Sequence, residues 1–335
     1  MGGQMRAARL VGPGKLEVTE EPVPTPQPGE VLVRSRRASI CGSDLHIVFD
    51  GFYRNELPGP PGFPGHEGVG VVEDAPGGEL APGTAVLAVP NPPVARCYAD
   101  YQCVPAGSLL PLPEGGDPDR LLLAQQLGTV VFAFRRHWPA GQLDATGRTV
   151  AVCGTGSAGL FFVQLARRAG FSQVIAADLA PGRLDLARRF GADVTVQAPG
   201  ESFVEAVLDH TGGQGADLVI EAVGLDATRV ACLQAVRRNG RVGYFGFPER
   251  PVDDGPWSYA EAWRKTPSIE VTNGTQLEPG LTAFREALAL IGDGSVDVEP
   301  FLEPVYPLDD VQQAFEAAYD HAGGKIAVAM SPVGS

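Results

Sequence analysis

Hydrophobic residues change their spacing twice along this chain, and these changes predict where its domains lie. Before about residue 125, short apolar runs separated by Pro and Gly predict β-strands, among them 31–33, 68–72 and 85–89. Few stretches in this part have the apolar spacing of a long helix. The first part of the chain is therefore predicted to be rich in β-structure.

The middle of the chain alternates short apolar strands with helices. Residues 149–153 predict a strand, and 160–169 predict a largely apolar helix. A strand over 174–177 and a helix opened by Pro181 follow in the same order. Further strands are predicted at 194–196, 218–222 and 242–245. Strands that alternate with helices predict a parallel sheet with helices on both faces.

The last part of the chain changes pattern again. Residues 283–291 and 311–319 predict helices, and a terminal strand follows them. We therefore predict that a doubly wound nucleotide-binding domain, residues 128–274, is inserted into a β-rich domain formed by 1–127 and 275–335.

Composition and charge restrict the possible partners. The chain has 335 residues, 44% of them hydrophobic and 20% charged, which is enough for two domains with their own cores. Its net charge of −14 argues against nucleic acid, because phosphates require a basic surface. No apolar run is long enough for a membrane span, and no secretory signal is visible. We expect a cytoplasmic protein without membrane or nucleic-acid partners.

A glycine-rich element follows the strand at 149–153 directly and opens the next helix. It consists of Gly154, Thr155, Gly156, Ser157, Ala158 and Gly159. In this context Gly154 permits a tight turn, Gly156 lets the backbone approach a pyrophosphate, and Gly159 allows close packing of helix on strand. The N–H groups at the helix start then face the phosphates. The element predicts a dinucleotide cofactor.

Asp178 lies 19 residues after Gly159, at the end of the second strand. A carboxylate there accepts hydrogen bonds from both ribose hydroxyls of the adenosine and repels a 2′-phosphate. No Arg or Lys follows immediately. NAD is therefore predicted in preference to NADP. Arg183 is either a contact of the adenine or a solvated helix charge.

Ligand-type residues are concentrated in two short motifs. The first contains Cys41, Ser43, Asp44 and His46, and the second contains His66 and Glu67. Thiolate and imidazole are good zinc ligands, and a catalytic zinc keeps three protein ligands and one open position. Cys41 and His66 are the two candidates, although each alone is typical of a buried core residue.

These motifs together resemble those of the zinc-dependent medium-chain alcohol and polyol dehydrogenases, over almost the whole length. The resemblance rests on residues 41–46, Gly65-His66-Glu67, the glycine loop with Asp178, Glu221-Ala222-Val223-Gly224, and Gly324-Lys325. It implies a GroES-like β-rich catalytic domain with an inserted Rossmann domain. It also implies a homodimer or homotetramer acting on a small-molecule alcohol or ketone.

The resemblance also implies roles for individual residues. Cys41 and His66 match zinc ligands, and Asp44 matches the carboxylate that orients the imidazole. Ser43 matches the hydroxyl that contacts the substrate. His46 matches the solvent end of a proton relay that is reached through the nicotinamide ribose. Glu67 matches a carboxylate beside the metal that ligates it in some members. Contacts to the nicotinamide half of the cofactor are implied for Thr129, Val223 and Gly224.

Two departures from the family pattern concern zinc. The third ligand in the family is Cys, Asp or Glu, and Gln125 stands in its place. This departure leaves three alternatives: Gln125 ligates zinc weakly, Glu67 supplies the missing anion, or zinc affinity is largely lost. We favour zinc held by Cys41 and His66 with help from Glu67. The four-cysteine cluster of a structural zinc is absent, and Cys97 and Cys103 are predicted to be structural thiols. One catalytic zinc per chain is expected.

The predicted reaction is NAD-dependent oxidation of a secondary alcohol of the polyol, sugar or cyclitol type to a ketone, or the reverse. The substrate class rests on the mixed aromatic and polar segment 49–56, which is equally typical of a solvated loop. One alternative is a zinc-free enone or quinone reductase, favoured by Gln125 and opposed by Cys41 and His66. The other is a non-catalytic NAD-binding protein. His137, His210 and His321 lie near predicted helix ends and need no catalytic role.

Overall fold

The computed structural model describes residues 3–52, 57–248, 257–320 and 324–330. Residues 53–56 of the predicted substrate segment, and His321, lie outside these ranges. The chain divides into two compact units, Met1–Gly128 with Gln276–Ser335, and Thr129–Thr275. The predicted domain boundaries each differ from these by one residue.

The first unit opens with short strands. They are β1 (Gln4–Gly12), β2 (Lys15–Pro22), β3 (Glu30–Ser39), β4 (Gly68–Asp74), β5 (Ala85–Ala88), β6 (Tyr101–Pro105) and β7 (Leu109–Pro111). Helices in this part of the chain are α1 (Gly42–Val48), α2 (Pro118–Leu121) and α3 (Ala124–His137), and the unit boundary falls within α3.

The second unit alternates strands and helices as predicted. Its strands are β8 (Thr149–Cys153), β9 (Gln173–Asp178), β10 (Val194–Gln197), β11 (Ala216–Glu221), β12 (Val236–Tyr244) and β13 (Ser268–Val271). Its helices are α4 (Ser157–Arg168), α5 (Pro181–Arg189), α6 (Phe203–His210), α7 (Asp226–Ala235) and α8 (Tyr259–Lys265). The strands pair in parallel in the order β10-β9-β8-β11-β12-β13. Strands β8 and β11 are almost wholly buried, as expected of a sheet covered on both faces.

The chain then returns to the first unit. Helices α9 (Thr282–Gly292) and α10 (Val311–Tyr319) and strands β14 (Val305–Pro307) and β15 (Ala327–Ala329) complete it. Its main sheet has the order β14-β15-β3-β4-β5-β7, with β6 also paired to β3, while β1 and β2 form a separate antiparallel pair. The predicted fold class, a β-rich GroES-like domain with an inserted Rossmann domain, is confirmed. None of the described helices is long and apolar enough to cross a membrane.

Candidate active site

The metal motifs lie where three strands of the first unit meet. Strand β3 runs antiparallel to both β4 and β15, so its end lies beside the starts of these neighbours. Cys41 follows β3 by two residues, Glu67 immediately precedes β4, and Lys325 stands two residues before β15. Sheet topology thus brings together groups that lie far apart in the sequence.

Asp44 is the buried anchor of this cluster. Cys41, in extended conformation, precedes α1, and its backbone N–H donates to the Asp44 carboxylate at 3.0 Å. The hydroxyl of Tyr98 donates to the same oxygen at 2.7 Å. The other carboxylate oxygen lies 2.9 Å from Nδ1 of His66. Asp44 therefore orients both Cys41 and His66.

His66 is buried and directs its second ring nitrogen toward the thiol. Burial lowers its pKa, but the charge of Asp44 and hydrogen bonds to Asp44 and Cys41 outweigh this effect and raise the pKa well above its ordinary value. Because Nδ1 faces Asp44, Nε2 is the nitrogen available to a metal. A carboxylate behind a ligating imidazole is the usual arrangement at zinc sites.

Three ligand-type atoms converge at this point. The Cys41 sulfur, an imidazole nitrogen of His66 and a carboxylate oxygen of Glu67 all lie within 4.8 Å of one another. The mixture of S, N and O donors is that of zinc. The donor set therefore fits the metal that the resemblance implies.

Glu67 is already neutralised by a residue to which the sequence analysis gave no role. Lys325 Nζ lies 2.8 Å and 3.1 Å from the two Glu67 oxygens, and the Ser39 hydroxyl also donates to Glu67. Burial raises the pKa of Glu67, but the charges of Lys325 and His66 outweigh it and leave the pKa below its ordinary value. Burial lowers the pKa of Lys325, and the charge of Glu67 more than restores it. The only indication in the sequence that Lys325 matters was the Gly324-Lys325 pair, which belongs to the family motifs and precedes the last strand.

Gln125 lies beside His66, and one of its two polar side-chain atoms has no hydrogen-bond partner among the described residues. Its amide nitrogen donates to the His66 carbonyl at 3.4 Å. Its amide oxygen is buried and has no hydrogen-bond partner among the described residues. Such an atom costs about 1–3 kcal/mol when unsatisfied, so its position is explained if it faces a bound cation or water.

The other thiols of this unit are buried or half-buried. Burial raises the pKa of Cys97 to about 12 and that of Cys103 to about 11. Cys97 Sγ lies 3.5 Å from the amide nitrogen of Gln102. Both thiols are therefore protonated at neutral pH, which suits structural cysteines and not ligands.

Ser43 and His46 lie three residues apart on α1, which puts both on one face of the helix. Both side chains are partly accessible to solvent. The Nδ1 atom of His46 lies 2.6 Å from the Asp50 carboxylate, and its ring centroid is 5.3 Å from that of Phe52. The sequence placed Asp50 only in the mixed segment 49–56, on which the predicted substrate class rests.

In the second unit, the three glycines of the glycine loop have different surroundings, so different contacts explain why each position lacks a side chain. Gly154 has φ of +91°, and a Cβ there would lie 2.6 Å from the Val223 side chain. A Cβ on Gly159 would lie 1.9 Å from the Gly154 carbonyl oxygen. A Cβ on Gly156 would meet no described atom within 4 Å. Protein contacts thus explain Gly154 and Gly159, whereas Gly156 leaves open space of the kind that a pyrophosphate would occupy. Ser157 and Ala158 form the first turn of α4 behind it.

Asp178 closes the same loop. Its two carboxylate oxygens accept backbone hydrogen bonds from Thr155 at 2.7 Å and Ala180 at 2.9 Å. Arg183, on the first turn of α5, has a guanidinium nitrogen 3.7 Å from Asp178. Arg183 is thus paired with the carboxylate expected to meet the ribose.

Glu221 organises the loop after β11. Its carboxylate accepts hydrogen bonds from the backbone of Val223 at 2.9 Å and Gly224 at 2.8 Å, and from the Thr228 hydroxyl at 2.7 Å. Gly224 has φ of +100° and a Cβ there would collide with the Phe247 carbonyl. Thr129 is the first residue of this unit and is half-buried on α3.

Known proteins match this chain along its length. Residues 27–114 match the alcohol dehydrogenase GroES-like domain, and residues 158–292 match the zinc-binding dehydrogenase family. An L-threonine 3-dehydrogenase from Bacillus subtilis is 31% identical over 92% of this chain and 93% of its own length. An alcohol dehydrogenase from Cupriavidus necator is 27% identical over 99% of this chain and 100% of its own. The solved structure of an alcohol dehydrogenase from Thermus sp. ATN1 superposes with a TM-score of 0.82 at 27% identity, covering 97% and 99% of the two chains.

The chain belongs to the zinc-dependent medium-chain alcohol dehydrogenases, as its fold, ligand cluster and relatives agree. The predictions of family and of enzymatic activity are confirmed. The protein is an alcohol oxidoreductase that uses zinc and a nicotinamide cofactor on a small-molecule substrate. Its substrate type, the choice between NAD and NADP and the number of zinc ions stay predictions.

Proposed function

We propose that this protein oxidises a secondary alcohol, of the polyol, sugar or cyclitol type, to a ketone with NAD, or catalyses the reverse reaction. The observation that carries the proposal is the convergence of Cys41, His66 and Glu67 within 4.8 Å. Asp44 stands behind the imidazole at 2.9 Å, as a ligating histidine requires. The zinc-free enone reductase, kept open by Gln125, needs no such cluster.

Cys41 and His66 are proposed to hold one zinc ion, with Gln125 or Glu67 completing the ligands. The unpartnered oxygen of Gln125 supports its role as a neutral donor. Glu67 is close enough to ligate, but its ion pair with Lys325 would have to lengthen. When bound, zinc supplies a Lewis acid that lowers the pKa of the substrate hydroxyl.

Proton removal is proposed to run through Ser43 and His46. The Ser43 hydroxyl accepts the substrate proton while it donates its own toward His46, whose partly exposed ring passes the proton to solvent. NAD, when bound, accepts the hydride from the substrate carbon. The chain thus orients the alcohol and moves a proton away from its oxygen.

The cofactor is proposed to lie on the glycine loop, with its pyrophosphate over Gly156 and at the start of α4. Asp178 retains lone pairs for the ribose hydroxyls and would repel a 2′-phosphate. Arg183 would cover the adenine from its position beside Asp178. Thr129, Val223 and Gly224 are proposed contacts of the nicotinamide half.

One experiment tests reaction, substrate class and cofactor together. The purified enzyme is given polyols, sugars, cyclitols, simple secondary alcohols and L-threonine, each with NAD and with NADP, and reduced cofactor is followed by absorbance. L-threonine is included because it is the substrate in the name of the Bacillus subtilis relative. We expect turnover of a polyhydroxylated substrate with NAD. Turnover of enones or quinones alone, or a strong preference for NADP, would contradict the proposal.

We also propose that the protein forms a homodimer or homotetramer. Strand β13 ends the order of the parallel sheet, and an open strand edge is a template for pairing with a second copy. Val271 on this strand is 68% exposed, and the preceding segment exposes Trp257, Tyr259 and Trp263. Light scattering should give two or four chains per particle, and Val271→Lys should shift the protein toward monomers. Val94→Lys, at an exposed position of the other unit, is the matched control; a monomeric wild type would contradict the proposal.

A further inference from the structure

The partly buried carboxylate of Asp50 contacts the histidine of the proton path. Oδ2 of Asp50 lies 2.6 Å from Nδ1 of His46, a distance typical of a charge-assisted hydrogen bond. The two residues are four positions apart, at the end of α1 and just after it. Asp50 lies in segment 49–56, on which the predicted substrate class rests, and no contact with His46 was predicted for it.

The backbone holds this pair in place. The N–H groups of Asp50 and Phe52 both donate to the His46 carbonyl, each at 3.1 Å. The buried Phe52 ring lies against the imidazole. The chain therefore wraps around His46, and the contact does not depend on a freely rotating surface side chain.

A second element supports Asp50 from its other side. The hydroxyl of Tyr319, at the end of α10, donates to Oδ1 of Asp50 at 3.3 Å, and its ring centroid lies 4.5 Å from that of Phe49. The charge of Asp50, with smaller effects of burial and the hydrogen bond, raises the pKa of Tyr319. Among the described residues, the titratable groups that face the carboxylate are thus His46 and Tyr319, with Asp320 beside the tyrosine.

We propose that Asp50 is a positioning residue for alcohol oxidation, which orients the His46 ring and holds it as the Nδ1–H tautomer. The inference rests on the proposed function, in which the proton passes through Ser43 to His46. An ionised carboxylate can only accept hydrogen bonds, so Nδ1 carries the hydrogen and Nε2 carries the lone pair.

The proton balance is simple. In oxidation, the O–H bond of the alcohol breaks, Ser43 exchanges one proton for another, and an N–H bond forms at Nε2 of His46. The resulting imidazolium lies against the Asp50 charge until Nε2 releases its proton to water. In ketone reduction the same steps run in reverse. Asp50 accepts a hydrogen bond from Nδ1 throughout, and no step transfers a proton to it.

Asp50→Asn is the test, because it removes the charge and keeps the shape. For the zinc- and NAD-loaded enzyme we expect kcat for oxidation to fall about ten-fold on the pH plateau. A purely structural role for Asp50 would lower activity in Asp50→Asn and in Asp50→Glu alike.

Matched variants distinguish the effect of the Asp50 charge from an effect on folding. Asp50→Glu keeps a carboxylate on the same backbone and should recover most of the lost kcat. Asp320→Asn removes an equal charge from the end of α10 without touching His46, and should leave kcat unchanged. Zinc content and thermal unfolding are measured for each variant.

The tautomer is also observable without any change at Asp50. Nitrogen NMR of the wild-type holoenzyme at pH 8, with His46→Gln used for assignment, should give a protonated Nδ1 and an unprotonated Nε2. A protonated Nε2 would overturn the inference even if Asp50→Asn did not fold. An unchanged kcat in Asp50→Asn would overturn it too. If His46→Gln itself oxidised alcohols at the wild-type rate, the proposed proton path would fail instead.

Discussion

At the scale of single residues, two side chains decide the charge around the proposed metal. Gln125 brings no charge where the resemblance to the family implies an anionic ligand, and Lys325 cancels the charge of Glu67. With Cys41 as thiolate, the nearest groups would carry about one negative charge against a doubly charged ion. The site is therefore expected to be a stronger Lewis acid but a weaker zinc binder than one with an anionic third ligand.

Gln125→Glu tests this expectation. A carboxylate at this position should raise zinc affinity about 10-fold or more, because an anionic oxygen replaces a neutral one. Gln125→Leu, which has no donor atom, should lower the affinity. Competition with a chromophoric chelator measures both. Equal affinities for all three proteins would mean that residue 125 is not a ligand.

The buried Glu67–Lys325 pair gives a second prediction at this scale. Lys325→Met leaves the Glu67 charge buried without its partner and should lower the free energy of unfolding by about 3–5 kcal/mol. The double variant Lys325→Met with Glu67→Gln should recover much of this loss, because no uncompensated charge remains. Urea unfolding of the wild type, both single variants and the double variant measures the coupling. Additive losses would contradict a paired role.

At the scale of elements, α3 ends at His137, whose side chain is completely buried within the second unit. Its ring stacks on Phe162 at 5.9 Å, and a Cβ on Gly243 would lie 2.2 Å from its Nδ1. Burial, with the charges of Arg241 and Arg136, lowers the pKa of His137 to about 3. The sequence indicates no catalytic role for His137, and the structure gives it a packing position.

This histidine should make stability depend on pH. Its pKa in the folded protein is lower than in the unfolded chain, so its contribution is complete above about pH 6.5 and is lost as pH falls toward 3. The loss should reach about 1.4 kcal/mol per pH unit within that window. In His137→Gln the acid-side decline of the urea midpoint should be shallower. His210→Gln, at an exposed helix end, is the control and should leave the slope unchanged; equal slopes in all three would contradict the burial argument.

At the scale of the whole molecule, the proposed chemistry is divided between two units. The ligand cluster lies in the unit formed by Met1–Gly128 and Gln276–Ser335, and the glycine loop lies in Thr129–Thr275. No proposed zinc ligand belongs to the second unit. We therefore expect that the zinc site and the NAD site share no residue.

Zinc removal tests this division. Dialysis against a chelator, or His66→Ala, should abolish alcohol oxidation while the dissociation constant of NAD changes by less than about two-fold. Isothermal titration measures NAD binding, and readdition of zinc should restore activity to the wild type only. Persistent oxidation by His66→Ala would contradict zinc-assisted catalysis, and loss of NAD binding would contradict separate sites.

The sequence by itself determined the elements and the motifs, because both depend on neighbouring residues. The strands and helices from β8 to β10, the strands β11 and β12, and the glycine loop with Asp178 follow from local apolar spacing and turn chemistry, whereas α6, α7, α8 and β13 were not predicted. Cys41 and His66 were recognisable for the same reason, since each lies in a short motif.

Only the tertiary structure decided which charges meet. Lys325 reaches Glu67, more than 250 positions away, because β15 and β4 both start beside the end of β3. Likewise Tyr319 reaches Asp50 from α10, and Gly243 makes room for His137. Such contacts depend on sheet order and helix packing, which no local spacing encodes. The identity of the zinc ligands beyond Cys41 and His66 is therefore a question of tertiary electrostatics.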